Sequence, residues 1–195
     1  MPRRAKINRE QVLDAALRLI DDEGVEAVSM RRLGQQLGVE AMSLYNHVKD
    51  KGALLQGVVE RLLASVRPLR SQNWRRDIVD FAQTWRATLS KHPRVGALLL
   101  AHPQESPSAT AHEEFVMSAL SDPIPQALDR AYAFMAIRNY LLGDLAFGYA
   151  STRLVAAAGT GAATFADPQL VSSPEVAFEL GLNALLDGIE RRNPF

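Results

Sequence analysis

The sequence predicts an all-α protein, with an N-terminal three-helix unit that contains a helix-turn-helix and a C-terminal helical bundle. Three observations support this fold class. Apolar residues recur at spacings of three and four through most of the chain. The prolines of the C-terminal half fall between these periodic segments, and no segment alternates between apolar and polar residues as a half-buried strand does.

The most informative stretch is residues 29–51, SMRRLGQQLGVEAMSLYNHVKDK, which has the pattern of two short helices joined by a tight turn. Leu33 and Leu37 share one face of the first helix. Gly38 follows where a helix ends in a left-handed residue, which glycine adopts without steric cost. A second short helix is predicted over residues 40–47. Two helices joined by a glycine-containing turn can place the second helix in the major groove of DNA.

Cap residues predict where the flanking helices begin. Asn8 precedes a helix predicted over residues 9–23, and Gln11 stands at the position that completes a capping box. Asp50 precedes a fourth helix, predicted over residues 51–66. These predicted caps divide the N-terminal part of the chain into three short helices and a longer fourth one.

The rest of the chain is also predicted to be helical. Five further helices are expected over residues 74–92, 94–101, 109–121, 125–157 and 174–192. A mobile loop is expected at residues 159–173, GTGAATFADPQLVSS, where small and polar residues interrupt the periodicity. We predict a helix-turn-helix domain at residues 1–51 and a second domain at residues 52–195.

Composition narrows the possible functions. The chain has 195 residues and no cysteine, which excludes disulfides and thiolate chemistry and favours the reducing cytoplasm. It has no run of about 18 apolar residues, so no membrane contact is expected. Four scattered histidines and the lack of a glycine-rich phosphate loop give no catalytic residue, metal site or cofactor. The sequence therefore does not favour an enzyme.

The basic charge of the chain is local, although its net charge is zero. Arg3, Arg4, Lys6 and Arg9 lie within the first nine residues, which contain no acidic residue. A small cluster of this kind suits interaction with phosphate groups.

Stripes of small residues mark the last two long helices. Small side chains allow two helices to approach closely, either within one subunit or in a four-helix interface to which each of two copies contributes two helices. We favour the second interpretation. The small residues are Asn139, Gly143, Ala146 and Ala150 on the first helix, and Ala177, Gly181, Ala184 and Gly188 on the second.

Three segments, AALRLIDDEG, SMRRLGQQLGV and SLYNHVKDKGALL, resemble the DNA-binding domain of the TetR family of bacterial repressors. Trp74 and the segment AFELGLNALLDGIE extend the resemblance to the tetracycline-repressor subgroup. The resemblance implies a homodimeric repressor whose partners are a palindromic operator in double-stranded DNA and a small-molecule effector. The alternatives are an activator, or a binding module that does not read DNA.

The resemblance also implies which side chains contact DNA. The start of the second helix would face base edges, where glutamate accepts from cytosine and Ala or Met contacts a thymine methyl. Arg31 matches a base-contacting arginine, whereas Tyr45, His47 and Lys51 match phosphate contacts. In the alternative interpretation Met42 packs inward. The predicted DNA-binding residues are Ser29, Arg31, Glu40, Ala41, Met42, Ser43, Tyr45, His47, Lys49 and Lys51.

An effector pocket is implied between the C-terminal helices. Its candidate residues are Phe81, Trp85, Glu114, Phe115, Met117, Met135, Asn139 and Leu142. Apolar walls of this kind suit a small hydrophobic molecule, although the same residues could simply form the core. Phe81 and Asn139 stand where the tetracycline subgroup has an asparagine and a histidine, so a metal–tetracycline effector is not expected.

Overall fold

The computed structural model describes residues 7–101, 106–158 and 173–192, and within these ranges it is helical without strands. A short 3-10 turn, Val25–Ala27, follows the first helix. The α-helices are α1 (Arg9–Glu23), α2 (Met30–Leu37), α3 (Ala41–Leu44), α4 (Lys51–Ser65), α5 (Trp74–Ser90), α6 (Pro93–Ala101), α7 (Pro107–Ala119), α8 (Ala127–Ala158) and α9 (Pro174–Arg192). The all-α prediction is confirmed. None of the helices described is both long enough and apolar enough to cross a membrane.

Two predicted features cannot be compared with this structure. The predicted loop at residues 159–173 lies outside the described residues apart from Ser173, and Arg3, Arg4 and Lys6 lie outside them altogether.

The N-terminal helices begin at the predicted caps. The Asn8 side chain accepts from the Gln11 N–H at 2.9 Å, and the Gln11 side chain accepts from the Asn8 N–H at 2.9 Å. Asp50 accepts from the Ala53 N–H at 2.7 Å, and Ser29 caps α2. Each bond satisfies an N–H group that has no carbonyl partner in the first turn of a helix. The predicted capping box is confirmed.

The second helix of the motif is shorter than predicted. The sequence predicted a helix over residues 40–47, whereas α3 covers Ala41–Leu44 and a turn continues to His47. In that turn the His47 N–H donates to the carbonyl of Leu44 at 2.9 Å, three residues back rather than four. The backbone therefore tightens after one α-helical turn.

Helix α4 links the N-terminal helices to the C-terminal ones. It packs against α1 on one side and against α5, α6 and α7 on the other. Arg61 on α4 forms ion pairs with Glu10 and Asp14 on α1, the second at 2.7 Å. Since the buried apolar residues of both parts form one continuous core, α4 joins the two parts.

Ion pairs hold the last two helices against α5. Arg86 lies 2.8 Å from Asp144 on α8, and Arg75 lies 2.5 Å from Asp187 on α9. These arginine side chains are partly buried, so their pairs are less screened than surface pairs. They tie α8 and α9 to α5.

Two polar contacts join α7 to α4 and to Val66, the residue that follows α4. The Ser108 hydroxyl donates to the Glu60 carboxylate at 2.6 Å, and the His112 Nε2 donates to the carbonyl of Val66 at 3.0 Å. The His112 side chain is 8% exposed. Burial lowers the pKa of the His112 imidazole, and the bond to Val66 and the charge of Glu60 oppose this change only in part.

The buried imidazole predicts that acid destabilises the protein. Because the pKa of His112 is lower in the folded chain, the unfolded chain binds more protons as the pH falls through about 6.5. Stability from this group is therefore full above that pH and decreases as the pH falls toward the folded pKa. Urea unfolding between about pH 7.5 and 5 should show a larger decrease in stability for wild type than for His112→Gln, which cannot become protonated. An equal decrease in both proteins would contradict this assignment.

Candidate nucleic-acid interface

The helix-turn-helix depends on a close approach of two backbone segments. A Cβ on Gly34 would lie 2.8 Å from the carbonyl oxygen of Val39 and 3.1 Å from the nitrogen of Ala41. Gly38 ends α2 with φ 68°, in the left-handed region. The two glycines allow α3 to pack directly on α2, and this packing fixes the direction of α3.

Helix α3 and the turn that follows it present large side chains to solvent. Met42 is 73% exposed and Tyr45 is 47% exposed. Glu40 is also exposed, and Ser43 is partly exposed. Met42 therefore does not pack inward, as the alternative interpretation required. Leu44 is buried and anchors α3 in the core, as its spacing predicted.

The other predicted DNA-binding residues differ in how they are held. Arg31 and Lys49 are exposed and His47 is partly buried. Ser29 is occupied as a cap, since its hydroxyl oxygen accepts from the backbone N–H three residues further along the chain at 3.3 Å. Ala41, the first residue of α3, is partly buried. The structure thus leaves Arg31 and Lys49 accessible to a ligand.

Contacts missed by the sequence reasoning hold this motif in place. Lys51, predicted to contact phosphate, donates to the carbonyl of Val25 at 3.3 Å and so joins α4 to the 3-10 turn. Arg32 forms an ion pair with Glu23 at the end of α1. Opposite charges nine residues apart carry no local signal that would have identified this pair.

The predicted effector residues fall into two groups. Phe81, Trp85 and Phe115 are buried, and the ring centroids of Phe81 and Phe115 are 5.7 Å apart. The ring of His112, which was not among the predicted residues, lies 5.2 Å from Phe81 in an edge-to-face arrangement. Met117, which is partly buried, lies on the same helix as His112 and Phe115.

The remaining effector candidates do not join this buried cluster. Glu114, Met135 and Asn139 are exposed, and Leu142 is partly buried. Met135 and Asn139 lie on the solvent-facing side of α8 because Ile137 and Leu141 occupy its inner side. The eight predicted effector residues therefore do not form one buried cluster, and their contact with an effector stays a prediction.

The small-residue stripes have two environments. Gly181 faces the ring of Tyr140, whose hydroxyl donates to the carbonyl of Phe178 at 2.8 Å, so it packs within the subunit. Gly143 and Gly188 have open space where a side chain would begin. Ala177 and Ala184 are exposed and Ala146 is partly buried, whereas Ala150 falls outside the described side chains.

An exposed apolar face accompanies these open positions. Of the nine large apolar side chains described as exposed, six lie on α8 and α9. A groove of about 420 Å³ runs between the start of α8 and the end of α9, beside Ala184 and Gly188. An apolar face of this extent indicates a protein contact. The six side chains are Leu128, Tyr132, Met135, Phe147, Val176 and Leu180.

A helix-turn-helix with an exposed second helix, carried on a helical body with an exposed apolar face, defines a DNA-binding regulator. The family model described as "Bacterial regulatory proteins, tetR family" matches residues 12–58. Tetracycline repressor protein class C of Escherichia coli is 30% identical over 202 residues, covering 95% of this chain and 92% of the repressor. An HTH-type transcriptional regulator of Saccharopolyspora erythraea is 35% identical over 141 residues, covering 71% of this chain and 60% of that regulator.

Solved structures share the whole fold. BioQ of Mycobacterium smegmatis matches with a TM-score of 0.78 at 24% identity, over 95% of this chain and 98% of BioQ. A single-residue variant of TetR from Acinetobacter baumannii AYE, solved with minocycline, matches with a TM-score of 0.76 at 25% identity, over 97% and 100% of the two chains. The chain belongs to the TetR family of bacterial regulatory proteins. By their names, the two sequence relatives given above are a transcriptional regulator and a repressor.

Proposed function

We propose that this chain is a homodimeric repressor that binds a palindromic operator and is released when a small hydrophobic effector binds its C-terminal helices. The exposed tip of α3 is the observation that carries the proposal, because the close packing at Gly34 directs Met42 and Tyr45 outward. Two related structures support it: a BioQ protein was solved with its double-stranded DNA operator, and ActR of Streptomyces coelicolor was solved with actinorhodin.

In this proposal some residues of the helix-turn-helix contact base edges and so determine sequence specificity, and others contact phosphates. Arg31 and the start of α3, residues 40–43, face base edges in the major groove. Tyr45, His47 and Lys49, with Ser29, contact phosphates and set the register. Lys51 keeps its bond to the 3-10 turn and still has two ammonium protons to donate to a phosphate.

The two domains then have separate tasks. Residues 1–51 bind DNA, and residues 52–195 bind the effector and the second subunit, with α4 joining the two. The effector contacts the cluster of Phe81, His112 and Phe115, which lies between α5 and α7. Met135 and Asn139 belong to the dimer face rather than to the pocket. A regulator of bacterial operators acts in the cytoplasm.

The dimer forms through the exposed faces of α8 and α9. On α9 the bulky Val176 and Leu180 lie toward one end, and the small Ala184 and Gly188 lie toward the other. Antiparallel α9 helices crossing near Leu182 would place Leu180 opposite Ala184 and Val176 opposite Gly188, since an isologous contact is symmetric about its axis. Bulky residues of each subunit then fill the groove beside the small residues of the other.

A gel-shift titration tests the DNA-binding assignment. Tyr45→Ala combined with Lys51→Ala should weaken binding to a palindromic site near the chain's own gene by about tenfold. The slope of log affinity against log salt should also become shallower by about one, because the double variant has one cation fewer on the phosphates. Arg67→Ala, an exposed cation in the α4–α5 loop, is the control and should leave both quantities unchanged. Unaltered binding by the double variant would overturn the assignment.

A further inference from the structure

The end of α1 is held by the start of α6, in a contact that DNA binding and effector binding do not explain. The Arg94 guanidinium donates to the backbone carbonyl of Asp21 at 2.6 Å. The Nδ1 of His92 lies 2.7 Å from the Oδ2 of Asp21. All three residues are partly buried. Asp21 lies in the last turn of α1, whereas His92 and Arg94 flank the first residue of α6.

The charges at this contact stabilise the packing of α1 against α6 rather than either helix by itself. Helix α1 has no basic residue in its last turn, where the exposed carbonyl groups favour a cation. Arg94 supplies that cation from α6. In the first turn of α6 the same cation faces the N–H end of its own helix, which disfavours positive charge. Arg94 therefore stabilises the contact between the helices at some cost to α6.

The Asp21 carboxylate makes its contact with His92 through one of its two oxygens. Its Oδ1 is buried and has no hydrogen-bond partner among the described residues. A buried acceptor without a partner is unfavourable.

The contact connects the DNA-binding helices to the proposed dimer face by a route other than α4. Helix α6 packs extensively on α8, which carries part of the exposed apolar face. At its other side α6 packs on α1, which belongs to the helix-turn-helix domain. The Asp21 contact therefore ties α1 to the helix that packs on α8, in addition to the connection through α4.

We propose that Asp21, His92 and Arg94 are positioning residues for operator binding, which hold the DNA-binding domain in one orientation on α6. This inference rests on the proposed function as a homodimer on a palindrome. A fixed orientation fixes the distance between the two α3 helices, which must match successive major grooves. Without the contact each domain samples several orientations, and ordering them on DNA reduces affinity.

The test compares a single half-site, which one DNA-binding domain can occupy, with palindromes, which need the DNA-binding domains of both subunits. Wild type first selects a palindrome from a random DNA pool. Wild type, Arg94→Ala and Arg94→Lys are then titrated with that palindrome, with a single half-site, and with palindromes whose spacer is changed by one or two base pairs. The affinity of Arg94→Ala for the selected palindrome should fall at least about fivefold. Its half-site affinity should be unchanged, and its preference for one spacing should weaken. Arg94→Lys, which keeps a donor and a charge, should recover most of the affinity.

Each other result overturns the inference. Equal or tighter binding of the palindrome by Arg94→Ala would show that the contact does not position the domain for DNA. An equal decrease on half-site and palindrome would show that the contact only stabilises the domain. If thermal unfolding shows that Arg94→Ala is not folded at the temperature of the titration, His92→Ala takes its place. This variant removes the contact between His92 and Asp21 and leaves Arg94 unchanged. Failure of wild type to select any palindrome would instead overturn the proposed function, and this inference with it.

Discussion

Replacing Ala184 with arginine is expected to convert the proposed dimer into monomers and to lower operator affinity by about 100-fold or more. Ala184 is exposed on α9 beside the groove, so an arginine there can extend into solvent in a single subunit. In the dimer the charge would be pressed against apolar residues such as Leu180, which is 67% exposed in one subunit. An unpaired buried charge is unfavourable, and symmetry places it in the interface twice. Separate subunits also lack the gain in affinity that comes from linking two domains.

Sedimentation and operator titration on the same samples measure both effects. Ala111→Arg, an identical change at an exposed position of α7, is the matched control and should remain dimeric. Affinity for a half-site should be equal in the two variants, since neither substitution touches the motif. A dimeric Ala184→Arg protein with wild-type operator affinity would show that α9 does not form the interface.

The features that could be predicted from the sequence are those set by neighbours along the chain. The bonds between Asn8 and Gln11 and from Ala53 to Asp50 span three residues. The left-handed conformation of Gly38 requires only that this residue has no side chain. Because these interactions are local, they fix helix starts and turns whatever surrounds them. The helix starts and the turn of the helix-turn-helix could therefore be predicted before any tertiary contact was known, whereas the direction of Met42 was left open.

The contacts that could not be predicted join residues far apart in the chain. His112 bonds to the carbonyl of Val66, 46 residues away, and His92 pairs with Asp21, 71 residues away. Neither spacing leaves a periodic signal in the sequence. For the same reason Lys51 was predicted to contact phosphate alone, although it also bonds to Val25.

Helix α8 shows why the predicted effector residues do not all lie in one buried cluster. Its inner face carries Ile137 and Leu141, but its exposed face also carries large apolar side chains, such as Met135 and Phe147, among polar ones. Periodicity identifies an inner face only when the opposite face is polar. Met135 was therefore assigned to the pocket, because its apolar character alone did not distinguish a pocket from an interface between subunits.

Gly34→Ala is expected to lower the free energy of unfolding by about 1–3 kcal/mol and to remove specific operator binding. The added Cβ would lie 2.8 Å from the carbonyl oxygen of Val39, closer than real Cβ atoms approach. That neighbour is backbone, so the clash cannot be relieved by a change of rotamer, and α3 must move away from α2. Displaced base contacts should leave only non-specific affinity, a reduction of about 1,000-fold.

Two measurements separate the cost in stability from the failure of recognition. Gln36→Ala changes an exposed residue of the same helix and should leave the midpoint of urea unfolding nearly unchanged. For Gly34→Ala, titration at a temperature where the protein is folded should show similar, weak affinity for the operator and for unrelated DNA. Retained discrimination would mean that α3 tolerates the displacement. The direction of α3 would then depend on its anchor Leu44, which is fully buried, more than on its contact with α2.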